Sequence, residues 1–221
     1  MSRTTPHILA VCTGNICRSP AIERMVSRRL GDAVVIGSAG TSAVVGAPVA
    51  PLMRALMDQA GVPSSGFAAR QIDERTIEWA DLILTATGNH RARVVEMAPK
   101  ALNRTFTLLE FAEAIKDVDR QRLAAAGPRE RIAILAKHAR QARPRLRLGP
   151  DDIDIVDPYG QPEEVYQEAF GLIEQAVSVV ADVLSVEPPP PVPRRALDWQ
   201  GWVSDDTWDD RPAPRPARAL T

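Results

Sequence analysis

Val11-Cys12-Thr13-Gly14-Asn15-Ile16-Cys17-Arg18-Ser19-Pro20 decides how this chain is read. The apolar run Ile8-Leu9-Ala10-Val11 before it predicts a buried strand, and the amphipathic stretch from Pro20 to Leu30 after it predicts a helix. The chain therefore passes from strand to helix through a loop that opens with Cys12 and closes with Arg18 and Ser19. Successive backbone N–H groups of such a loop converge with the free N–H groups of the helix start into a cup for a tetrahedral oxyanion. Gly14 and Asn15 tolerate the left-handed backbone that a tight cup needs. A cysteine at the floor sits in a positive field that favours thiolate over thiol. Arg18 adds a planar fork able to hold two phosphate oxygens at once. Nucleophile, cradle and clamp together predict a phosphoryl-transfer site.

Outward from this motif, strand-like runs at 7–12, 33–38, 81–86 and 105–109 alternate with helical patterns at 20–30, 48–60, 75–80 and 89–98. That alternation predicts an α/β fold, a parallel sheet flanked by helices on both faces. Ligands on such sheets bind beyond the carboxyl ends of the strands, where the Cys12 loop falls. A last helix is expected from about Pro162, with Val165, Ala169, Leu172, Ile173, Ala176, Val177 and Val180 on its apolar stripe. Residues 112–150 predict a helical insertion, with helices at 115–123 and 129–142 broken by Gly127-Pro128. Residues 1–186 thus form one domain. From Glu187 a Pro-rich C-terminal tail, 187–221, is expected to be extended or disordered, with Trp199, Trp202 and Trp208 packing on the domain or on a neighbouring chain.

At 221 residues and 45% hydrophobic, the chain has the material for one domain of about 150–200 residues plus appendages. A net charge of −1 argues against bulk nucleic-acid binding. No apolar run approaches the roughly 20 residues of a membrane span. Met1 to His7 carries no signal-peptide pattern, so a cytoplasmic protein is expected. Both cysteines lie in the motif, and His7, His90 and His138 form no cluster with them, so no metal and no cofactor are expected. Cys17 is placed instead to capture an oxidised Cys12 as a reversible disulfide. The basic run 129–147 (Arg129, Arg131, Lys137, Arg140, Arg143, Arg145, Arg147) reads either as a solvated face or as a docking surface for an acidic or phosphorylated protein.

The motif resembles the signature of the low-molecular-weight protein tyrosine phosphatases. The resemblance continues through Ser38-Ala39-Gly40-Thr41, Ala69-Arg70-Gln71-Ile72 and Asp81-Leu82-Ile83-Leu84 to Asp157-Pro158-Tyr159-Gly160, covering 5–110 and 150–186. It implies a four-stranded sheet and a metal-free phosphotyrosine-protein phosphatase working through a phosphocysteine on Cys12, with a phosphorylated protein as substrate. Arg18 would clamp the phosphate, alongside Thr13, Gly14, Asn15, Ile16, Cys17 and Ser19. The Ser19 hydroxyl would bond the Cys12 sulfur, Asn15 would brace the loop, and Ser38 and Arg70 would support it. Residue chemistry alone leaves Asp151, Asp152, Asp154 and Asp157 as competing proton donors. The resemblance selects Asp157, which Pro158 holds in an extended segment before the last helix.

Two departures stand out. Ser42-Ala43-Val44-Val45-Gly46 lacks the aromatic that lines the phenol slot in many relatives, leaving Tyr159 as an aromatic wall. Phe67 stands where relatives often carry a histidine. Three other readings compete. Relatives that hydrolyse phosphoarginine carry Thr at the position of Ile16. Arsenate reduction passes electrons through further cysteines, and none exists beyond Cys17. A non-catalytic phosphoprotein-binding module would be expected to lose Cys12, Arg18 or the acid.

Overall fold

The computed structural model describes residues 5–185, and what the sequence predicts for the Pro-rich tail from Glu187, with Trp199, Trp202 and Trp208, lies outside the described residues. Strands β1 (His7–Cys12), β2 (Val35–Gly40), β3 (Leu82–Thr85) and β4 (Thr105–Thr107) form one parallel sheet in the order β2-β1-β3-β4. Along β1, Ile8, Ala10 and Cys12 enter one core layer while Leu9 and Val11 enter the other. A central parallel strand is covered on both faces, which is why this run carries no polar side. The first layer holds α1 (Arg18–Leu30), α2 (Pro51–Gln59), α5 (Leu108–Ala114), α7 (Pro128–Ala142) and, after the single turn of α8 (Pro150–Ile153), α9 (Glu163–Leu184). The second holds α3 (Glu74–Trp79) and α4 (Gly88–Met97). The expected α/β architecture is the observed one. Among the described residues no helix is long and apolar enough to cross a membrane.

Several boundaries differ from the sequence pattern, and those around the site and the insertion have local reasons. β2 starts at Val35 because residues 31–33 coil into a 3-10 turn, and it pairs with β1 from His7↔Val35 to Cys12↔Gly40. The two strands therefore end together, with Gly40 beside Cys12. α1 starts at Arg18, before Pro20, since a first-turn proline lacks only an N–H that has no partner inside the helix. The helix expected over 115–123 is corrected to a shorter one that begins at Arg120, after a separate helix that ends at Ala114. Thr107 ends β4 and caps α5 by accepting the Glu110 N–H at 3.2 Å. Asp119 then caps α6 (Arg120–Ala124), accepting from Gln121 N and Arg122 N. On α9 the buried stripe runs through Tyr166, Ala169, Phe170, Ile173 and Val177, with Val165 and Leu172 at its half-buried margins.

Much of the positive charge of the 129–147 run is bound within the fold. Arg129 pairs with Asp81 at 2.8 Å, Arg131 donates to the carbonyls of Leu123, Ala124, Ala126 and Leu184, and Arg140 donates to Asn103 O. Arg143 grips both oxygens of buried Glu110 and lies over the Phe106 ring. Among the described residues, Arg143→Ala leaves that carboxylate with only Arg91 as an ion-pair partner, at 3.6 Å. Loss of a partner to a buried polar group costs roughly 1–3 kcal/mol. Urea unfolding is expected to show that loss while turnover of small aryl phosphates holds; an unchanged midpoint would mean that this pair does not anchor the insertion.

Candidate active site

The Cys12–Arg18 loop is shaped from outside by the segment that follows β2. Thr41 N donates to Cys12 O, Ser42 N to Thr13 O, Val44 N to Gly14 O and Ala50 N to Ile16 O, all between 2.8 and 3.0 Å. A peptide whose carbonyl points outward carries its N–H on the opposite side, so the amides of Thr13, Gly14, Asn15 and Cys17 face the concave side. Asn15 reaches this shape at φ 56°, as its residue type allows. Gly40 is required for the close approach of β2. A Cβ there would lie 2.3 Å from the Thr13 carbonyl oxygen. The cup closes a cavity of about 190 Å³ lined by Cys12, Thr13, Gly14, Ile16, Cys17, Arg18, Ser42, Val44, Asp157 and Tyr159.

The Cys12 sulfur ends a buried chain of hydrogen bonds. Ser38 Oγ donates to Glu23 Oε2 at 2.5 Å and therefore accepts one Asn15 amide proton, at 2.8 Å. The other Asn15 amide proton goes to Ser19 Oγ at 2.8 Å, and Asn15 Oδ1 accepts from Arg70 N, which fixes the orientation of the amide. Ser19 Oγ accepts from Asn15, and among the described residues its own proton finds no acceptor other than the Cys12 sulfur, at 3.0 Å. A sulfur that receives a hydrogen bond is stabilised as thiolate. The chain ends on Glu23, which the sequence reading missed. Its signal was present: Glu23 lies four residues after Ser19 on α1, hence on the same helix face. Phe67 takes no part in this chain and packs instead under Arg24, 5.8 Å from its ring centroid.

Arg18 is almost wholly buried. One terminal nitrogen donates to Ile155 O at 3.0 Å, the other meets Asp157 Oδ2 at 2.7 Å, and Nε has no partner among the described residues. A buried guanidinium N–H left unpaired costs about 1–3 kcal/mol, and an oxyanion bound in the cup would supply an acceptor. Asp157 is half exposed, at 52%, and borders the cavity. Asp154 is committed elsewhere. Its Oδ1 accepts the Gly88 N–H at the start of α4 at 2.6 Å, and with Ile155 N on Ala86 O this ties the 154–157 segment to the end of β3.

Cys17 is free, like Cys12, but faces Tyr166, and burial pushes its thiol up to about 12. Any capture of an oxidised Cys12 thus begins from the thiol form. Buried His90 is the second group the sequence reading missed as part of the site; Thr87, three residues before it, is the cap that places it. Its ring contacts Thr13 Oγ1 at 2.9 Å and Thr87 Oγ1 at 2.6 Å, and burial together with the Arg18 charge pushes it down to about 4.

The model of the family described as low molecular weight phosphotyrosine protein phosphatase matches residues 7–124, which hold the cup, the whole sheet and α1 to α6. The chain belongs to this family. It is thus a phosphatase, an enzyme of the hydrolase class. A protein-arginine-phosphatase of Geobacillus stearothermophilus is 27% identical over 82% of this phosphatase and 97% of its own length. Wzb, a low molecular weight protein-tyrosine-phosphatase of Escherichia coli K12, is 40% identical over 42% of the chain and 63% of its own length. Among solved structures, the YwlE arginine phosphatase of Geobacillus stearothermophilus superposes with a TM-score of 0.60 at 27% identity, covering 81% of this phosphatase and 92% of that chain. The tyrosine phosphatase amsI of Erwinia amylovora shares the fold at a TM-score of 0.61, over 82% and 94% of the two chains.

Proposed function

We propose that this phosphatase hydrolyses phosphotyrosine in proteins through a phosphocysteine on Cys12. The observation that carries the reading is the meeting of the Cys12 sulfur, the Arg18 fork and the Asp157 carboxyl around one cavity of about 190 Å³. A phosphate dianion, held by the cup amides and by Arg18, takes over the guanidinium now paired with Asp157 and releases that carboxylate, which takes up a proton from solvent, toward the leaving oxygen. Sulfur attacks phosphorus in line, the P–O bond to tyrosine breaks, and Asp157 gives its proton to the phenolate. Water then attacks the phosphocysteine. Asp157 takes a proton from it, the P–S bond breaks, and the thiolate returns under the Ser19 hydroxyl. Ile16, Val44 and the exposed Tyr159 ring form apolar walls for a flat phenyl group. Chemistry that needs a reduced thiol supports a cytoplasmic setting. Docking of an acidic partner on the basic segment would fall to exposed Lys137, Arg145 and Arg147, and it would weaken as salt screens the charges.

The Geobacillus relative, matched over most of the chain, favours phosphoarginine as a second substrate reading. Ile16 weighs against it. Wild type is expected to favour a phosphotyrosine peptide over its phosphoarginine counterpart, and Ile16→Thr to move that ratio toward phosphoarginine by about tenfold, the scale of one side-chain contact. A wild type that prefers phosphoarginine would replace the tyrosine reading by the second one.

A further inference from the structure

We infer that Thr13 is an additional side-chain donor to the bound phosphate ester and that His90 is the positioning residue that aims its hydroxyl proton into the cavity. This rests on the phosphatase reading above for its consequence in turnover, and on the hydrogen-bond network for its geometry. Thr13 opens the cup, is exposed and lines the cavity beside Arg18 and Asp157, while His90 behind it is 8% exposed. The ring nitrogens of a neutral imidazole are one donor and one acceptor. Thr87 decides which is which. Its oxygen accepts the His90 backbone N–H at 3.3 Å as the cap of α4, and among the described residues the hydroxyl has no other acceptor than Nδ1, at 2.6 Å. The Thr87 proton therefore fills Nδ1, Nε2 carries the ring proton, and Nε2–H donates to Thr13 Oγ1. Thr13 then has an occupied acceptor side and a proton left over, on the side that faces the cavity. The opposite tautomer would leave the Thr87 proton to solvent alone and turn the Thr13 proton away from the cavity. His90 stays neutral over the working range, because burial and the nearby Arg18 charge disfavour an imidazolium. The order Thr87, His90, Thr13, ester oxygen therefore holds throughout that range.

The donor is worth most when charge grows on the oxygen it meets. Thr13→Val, which keeps the shape and removes the hydroxyl, is expected to lower kcat/KM for p-nitrophenyl phosphate by about 10- to 100-fold. Thr13→Ser should keep most of the rate. His90→Phe should lose nearly as much as Thr13→Val, and His90→Gln, whose amide can donate to the same oxygen, should recover part of it. If His90 acts through Thr13, adding His90→Phe to Thr13→Val changes little further, whereas independent roles would multiply the two losses. Should His90→Phe not fold, the Val and Ser variants of Thr13 still decide. Calorimetry of inorganic phosphate on the Cys12→Ser protein, with and without Thr13→Val, reads the donor without turnover. Weaker phosphate binding on loss of the hydroxyl supports the inference even if the wild type proves inactive, an outcome that would sink the proposed function alone. A wild type that turns over while Thr13→Val changes neither turnover nor phosphate binding, or multiplicative losses in the double variant, would overturn the inference and leave the function standing.

Discussion

Cys12→Ser is expected to fold and to lose at least about 10³-fold in turnover of any phosphate ester, since a serine hydroxyl has no thiolate-like population for the cup to hold. The buried chain Glu23, Ser38, Asn15, Ser19 ends on the sulfur and tolerates an oxygen in its place, so loss of activity should not be loss of structure. Arg18→Ala should lose about 10³–10⁵-fold, the range seen when an arginine that meets a transferring phosphoryl group is removed. It also frees the segment around Ile155, whose carbonyl Arg18 holds at 3.0 Å. Circular dichroism and unfolding midpoints separate the two effects. A folded Cys12→Ser protein that keeps more than a few per cent of wild-type turnover would remove Cys12 from the mechanism.

Asp157→Ala is expected to cut turnover by roughly 10²–10⁴ with phosphotyrosine, whose leaving group needs a proton. The loss should shrink with p-nitrophenyl phosphate, whose phenolate leaves more readily. Phosphate affinity should hold or rise, because the carboxylate that competes for Arg18 at 2.7 Å is gone. Asp154→Ala acts in another way. It removes the acceptor of the Gly88 N–H and loosens the segment that carries Asp157, so it should slow both substrates by similar factors. Equal losses for the two substrates in Asp157→Ala would place the proton donor at another group.

The strand–loop–helix of the cup was legible in the sequence because its determinants are local. The apolar run of β1, the permissive Gly14 and Asn15, and the amphipathic face of α1 lie within 8–30, and each acts on its own neighbourhood. Cys12 and Arg18 could be paired for the same reason: a fixed short loop leaves them few relative positions. Four strand signals separated by helices likewise determined a parallel sheet, since only covered faces suit strands apolar on both sides. What the sequence could not decide was every choice made between distant segments. Residue type left four aspartates open. The fold engages Asp154 with Gly88 and brings Asp157 to Arg18, a pairing made only when the 154–157 segment docks on the end of β3. Glu23 and His90 read as ordinary helix residues until Ser38 and Thr13 arrive from other elements. The arginines of 129–147 read as one charged run, yet Asp81, Asn103 and Glu110, brought close by the sheet and its helices, bind three of them. Local periodicity and caps act through neighbours in the chain, whereas these pairings form between side chains that only the packed core brings together.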